Sequence, residues 1–92
     1  MNDKFNSVWD AIEDTPHQAA SMKIRSKLLI ALQERLRNSG LTQVKAAKLL
    51  GVTQPRVSDL MRGRIDLFSL ESLVDMITSI GLEVEISIKD AA

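Results

Sequence analysis

The chain has no cysteine and no tyrosine, and its 92 residues include one tryptophan, two phenylalanines, one histidine, two prolines and four glycines. Without cysteine there is no disulfide framework and no thiolate metal site. A single histidine also leaves no conventional metal cluster, so no metal and no cofactor is expected. The longest unbroken apolar run, residues 28–32, is far too short to span a bilayer, and Asp3 interrupts any charged-then-apolar leader pattern. These absences lead us to expect a soluble, unprocessed chain in a reducing cytoplasm, with no membrane partner. The sequence shows no set of nucleophile, base and orienting group, so an enzyme is not expected. So few aromatics also disfavour a protein that stacks unpaired RNA bases.

Net charge is lacking too, with 12 basic residues balanced by 12 acidic ones. The distribution is uneven. Residues 1–21 carry one lysine against four acidic side chains, and residues 65–92 carry one lysine against six. Between them, residues 22–64 hold ten Lys or Arg against only Glu34 and Asp59. A basic middle between acidic ends suits a protein with one face for phosphate and another for protein.

What is present is organised around residues 42–63, TQVKAAKLLGVTQPRVSDLMRG. Thr42 and Thr53 are placed to N-cap two short helices, and Gly51 to end the first in the left-handed conformation. Ala46, Leu49 and Leu50 make one apolar stripe at helical spacing, and Val57, Leu60 and Met61 make another. Ala47 lies beside the first stripe, where its lack of bulk allows a close helix crossing. Two helices of about eight residues are too short to stand alone in water. Burying both stripes against each other and a third element gives a helix-turn-helix.

Around this centre, residues 2–14 place Phe5, Val8, Trp9 and Ile12 at helical spacing, either to pack on the core or to dock a partner. Thr15, Pro16 and Gln18 form a helix start; the helix runs to Ser39 or restarts at Ser21. Ile24, Leu28, Leu32 and Leu36, thickened by Leu29 and Ala31, form its expected apolar row. After a loop at residues 64–67, Ser69 caps a further helix, with Phe68 stapled to Leu73 and with Leu70, Leu73, Val74, Ile77 and Ile80 facing inward. The period then changes. Leu82, Val84, Ile86 and Ile88 alternate with polar residues as in a half-buried strand. The chain has no second strand, so this one is expected to pair across a dimer.

The run T-Q-x-x-A-A-x-x-L-G-V-T-Q-x-x-V-S-x-L resembles the helix-turn-helix of the Cro/lambda-repressor (Xre) class of DNA-binding proteins. The following Q-P-R-V-S-D-L-x-R-G-R, F-S-L-E-S-L and terminal apolar strand make it similar to the HigA-type branch, compact regulators often encoded beside a RelE/HigB-like toxin. Lys45 departs from the Glu that such proteins often carry; it forfeits a capping box and adds positive charge. The resemblance implies a mainly α, lambda-repressor-like bundle. About five helices and one C-terminal β-strand pairing across a dimer are expected. All 92 residues are read as one domain: an acidic extension at 1–21, the helix-turn-helix at 42–63 and a dimerising strand at 82–88.

It further implies that the second motif helix enters the major groove of double-stranded DNA at an inverted-repeat operator. Gln54 can pair bidentately with adenine, Arg56 with guanine or a phosphate, and Ser58 with either base edge, while Pro55 can meet a thymine methyl. Thr53 begins this face. Gln43 is where the class commonly bonds the backbone, and Lys45, Lys48, Arg62 and Arg64 are candidate phosphate contacts. Asp59 is repelled by phosphate, so it must either accept from cytosine N4 or be neutralised by Arg56 or Arg62; the internal pairing is favoured and would make Asp59 an orienter of Arg56. Implied partners are a second copy, through Leu82, Val84, Ile86 and Ile88, and a toxin, through Phe5, Val8, Trp9 and Ile12. The implied role is a nucleoid-associated repressor, with an antitoxin the more specific reading. The alternatives are a pure protein-interaction module or a stand-alone phage-type regulator.

Overall fold

A computed structural model describes residues 16–91 of the chain. Helix α1, Pro16–Ser39, is a single 24-residue element without a break at Ser21. Next come α2, Gln43–Leu50, and α3, Gln54–Met61, then a 3-10 turn at Ile65–Leu67 and α4, Leu70–Ser79. The described residues thus hold four α-helices where about five are expected. The remaining expected helix, with Phe5, Val8, Trp9 and Ile12, lies outside the described residues.

The caps form where the side-chain chemistry places them. Thr42, Thr53 and Ser69 are extended residues whose hydroxyls accept the backbone N–H three residues on, at 3.2, 3.3 and 3.0 Å respectively. Each satisfies a donor that the first helical turn leaves without a partner. The ends of α2 and α3 share one device. Gly51 and Gly63 sit at φ 72° and 75°, the left-handed region that a Cβ disfavours. At the second, Gly63 donates to the Leu60 carbonyl at 3.0 Å and Arg64 donates to the Asp59 carbonyl at 3.1 Å. This paired closure, a Schellman motif, stops α3 after two turns.

Helix α1 packs mainly along α4, and α2 packs against α3. The core they enclose contains Leu29, Leu32 and Leu36 from α1, Ala46, Ala47 and Leu50 from α2, and Val57 and Leu60 from α3. Phe68, the α4 residues Leu73, Met76 and Ile77, and Ile80 just after that helix complete it. Three expected stripes are redrawn. Ile24 is 49% exposed and Ala31 is exposed, because an i, i+4 row drifts about 40° per step around a helix of 3.6 residues per turn. Arg25, seven residues before Leu32, occupies the inward line instead and is half-buried. On α2, Ala46 and Ala47 take the seam with Leu50, and Leu49 turns out at 47% exposure. On α4, Leu70 is exposed and Met76 is buried in its place.

The expected strand is also corrected. Among the described residues there is no β-strand, because a strand is defined by a ladder and a single copy of residues 82–88 has no partner to form one. Leu82 donates to the Ile77 carbonyl at 3.1 Å. Leu82 and Val84 then pack against the core, whereas Ile86 and Ile88 are 80% and 91% exposed.

Candidate nucleic-acid interface

Helices α2 and α3 are held at a fixed crossing by Ala46, Ala47, Leu50, Val57 and Leu60, all buried. The turn between them closes through Gly51, whose N–H donates to Lys48 at 3.3 Å, and Val52, whose N–H donates to Ala47 at 3.0 Å. With those residues inward, the opposite surfaces point outward. Gln43, Lys45 and Lys48 on α2 are exposed, as are Thr53, Gln54 and Pro55 at the start of α3. Ser58 and Asp59 are half-buried one turn further along, and Arg62 and Arg64 are exposed at its end. Amide, hydroxyl and cationic groups are therefore distributed along one helix and its flanks. The α3 N-terminus adds backbone N–H groups and the positive end of the helix dipole, which favour a nearby anion.

Asp59 pairs internally, with Arg62 Nη2 at 3.4 Å from its Oδ1. Its expected role as the orienter of Arg56 is not what the side chains do. Arg56 Nη1 donates to the Leu67 carbonyl at 2.6 Å, and its guanidinium carbon lies 4.0 Å from the centroid of the Phe68 ring. A guanidinium over an aromatic face gains from the ring quadrupole while its stem covers apolar surface. Arg56 is thus anchored to the 3-10 turn that follows its own helix.

Three supporting side chains were not singled out as site residues by pattern. Gln33 of α1 donates from Nε2 to the Leu60 carbonyl at 2.9 Å, satisfying an acceptor near the end of α3 and tying that helix to α1. Arg25 donates to the Phe68 carbonyl at 3.4 Å. Its Nε is buried without a hydrogen-bond partner among the described residues. Phe68, expected as a staple for α4, also serves as the platform for Arg56. No local signal marks Gln33, since one polar residue beside an apolar row reads as surface until the facing helix end is known.

Described residues hold no cluster of His, Cys, Asp or Glu that could bind a metal ion. None of the described helices is long and apolar enough to cross a membrane.

The fold and its outward polar face are those of a helix-turn-helix protein, and the chain belongs to that family: residues 11–89 match the model described as "Helix-turn-helix domain". A similar solved structure is titled "Putative XRE Family Transcriptional Regulator"; it is 32% identical, with a TM-score of 0.73, and the match covers 78% of this chain and 81% of that one. No curated protein matches the chain.

Proposed function

We propose that this chain is a sequence-specific, dimeric DNA-binding repressor of the Xre class, and within that class the antitoxin partner of a RelE/HigB-like toxin, autoregulating its operon in the cytoplasm. The observation that carries the DNA reading is the outward face of α3: Gln54 and Pro55 are exposed on a short, rigidly capped helix, beside exposed cations on α2 and at the end of α3. Gln54, Pro55 and Ser58 read base edges, while Gln43, Thr53, Lys45, Lys48, Arg62 and Arg64 meet the backbone. Asp59 holds Arg62 in place. Arg56 reaches a guanine or a phosphate only by releasing the Leu67 carbonyl. The second copy is recruited through residues 82–88, and no catalytic step is involved.

Affinity measured by fluorescence anisotropy is expected to drop roughly a thousandfold or more between about 50 and 200 mM salt, as about six to ten phosphates are neutralised by the dimer. A flat salt response would remove the reading.

The antitoxin role rests on the resemblance and on charge: the acidic segments flanking the basic middle suit a basic partner. Its anchors are Phe5, Val8, Trp9 and Ile12. If the product of an adjacent reading frame binds there, co-purification with it should survive Gln54→Ala and be lost on Trp9→Ala. The opposite pattern would put the partner on the DNA face.

A further inference from the structure

The C-terminal segment runs beside α1 rather than away from the molecule. Ile24, Lys27 and Leu28 of α1 and Val84, Glu85 and Ile86 line one groove of about 300 Å3. Beyond the N–H of Leu82, residues 83–91 make no backbone–backbone hydrogen bond among the described residues. An apolar edge of this kind, with free donors and acceptors, is a template for strand addition. The dimer proposed above names a second copy as its occupant, and the inference here rests on that reading. What it leaves open is the register, which decides how the two molecules are oriented.

Antiparallel pairing about a two-fold axis either sets a residue opposite itself or places the axis between two residues. The second arrangement is excluded by the alternation. It would set Ile86 opposite Ser87 and turn the two apolar rows to opposite faces, although Val84 and Ile86 must share one face over the groove. Among self-opposed registers, centring on Glu85 places two carboxylates face to face at the axis, an arrangement that destabilises a strand pair. Centring on Ser87 sets Asp90 against Val84, which is half-buried on the core. Centring on Ile86 avoids both conflicts within residues 83–89; the next pair out, Leu82 with the partner's Asp90, stays outside the ladder because the Leu82 N–H is already donated to the Ile77 carbonyl. It pairs Ile86 with itself and Val84 with the partner's Ile88 on the apolar face, and Glu83 with the partner's Lys89 and Glu85 with the partner's Ser87 on the other.

We propose that two copies of this chain pair antiparallel through residues 83–89 in the register centred on Ile86, locked by reciprocal Glu83–Lys89 contacts. The partner's Ile88 then lies beside Val84, where it covers the groove floored by Ile24 and Leu28. The two otherwise exposed isoleucines are buried by the same step, and each Lys89 offsets the partner's Glu83.

The native chain has no cysteine, so single cysteines report the register without background. Directly opposed residues are about 4.5 to 5.5 Å apart at Cα, within disulfide reach, whereas same-face diagonal neighbours lie about 7 to 8 Å apart. Under mild oxidation Ile86→Cys is expected to convert most of the chain to a disulfide-linked dimer, with Glu85→Cys and Ser87→Cys remaining largely unlinked. Independently, Glu83→Lys should weaken the dimer about tenfold by sedimentation, and Glu83→Lys with Lys89→Glu should restore it. Preferential linking at position 85 or 87, or no rescue by the double reversal, overturns the register while leaving the dimer. A monomeric native chain with no linking at any of the three positions overturns the dimer itself.

Discussion

Arg56 carries a positive charge on the flank of the helix that faces outward, yet its guanidinium is held by the Leu67 carbonyl and the Phe68 ring. Gln54, two residues earlier, is exposed. The two side chains should therefore separate under substitution. Arg56→Ala is expected to lower folding stability by about 1 to 2 kcal/mol, from the lost cation–π contact and hydrogen bond, as read by urea denaturation. Gln54→Ala should leave stability within about 0.5 kcal/mol and instead cost about 1 to 3 kcal/mol of operator binding per half-site, with relaxed preference at one base. Unchanged stability in Arg56→Ala would mean that its contacts with Leu67 and Phe68 contribute nothing net to the fold.

Among the elements, the C-terminal segment changes character halfway along. Leu82 and Val84 pack on the core, while Ile86 and Ile88 project from it. Removing everything after Gly81 would therefore mix two effects, loss of core packing and loss of the dimer contact. Ile86→Ser combined with Ile88→Ser separates them. The pair should weaken dimerisation at least about tenfold by analytical ultracentrifugation, since each isoleucine buried on pairing contributes about 1.5 kcal/mol or more. Helical circular dichroism and the thermal midpoint of the monomer should stay close to the parent values, because both side chains are exposed. A dimer that persists unchanged at micromolar concentration would assign association to helix faces instead, with the exposed Leu70 an obvious member.

For the whole molecule, neutrality is an average over opposed regions: the basic excess spans α1 to the end of α3, and the acidic excess lies in the terminal segments. A two-fold dimer through the C-terminal segment would carry two copies of α3, so operator half-sites should be inverted and spaced near one helical turn, about 34 to 36 Å between centres. Inserting about five base pairs between the half-sites rotates one recognition surface to the opposite side of the duplex. Binding to that operator should fall to the level of a single half-site in a gel-shift titration, and restoring the full turn should recover part of it. Equal affinity for both spacings would mean that the two copies bind independently.

Much of the bundle was legible in residue order because its signals are local. Thr42, Thr53 and Ser69 cap, Gly51 terminates, and the spacing of Val57, Leu60, Leu73 and Ile77 marks the inward faces, all within a few residues of the structure they cause. The exposed polar face of α3 follows from the same periodicity. Tertiary structure decided whatever depends on what lies opposite. Ile24 and Leu49 match a helical stripe but each stays about half exposed, and Arg25 and Gln33 turn inward because a carbonyl of Phe68 and one of Leu60 await a donor there. The partner of Arg56 was likewise undetermined by spacing: Asp59 stands three residues away on the same helix, but Leu67 and Phe68 are returned to Arg56 by the 3-10 turn. Alternation in residues 82–88 encodes a strand-forming side-chain pattern, yet a ladder requires a second backbone, which one copy of the chain does not contain.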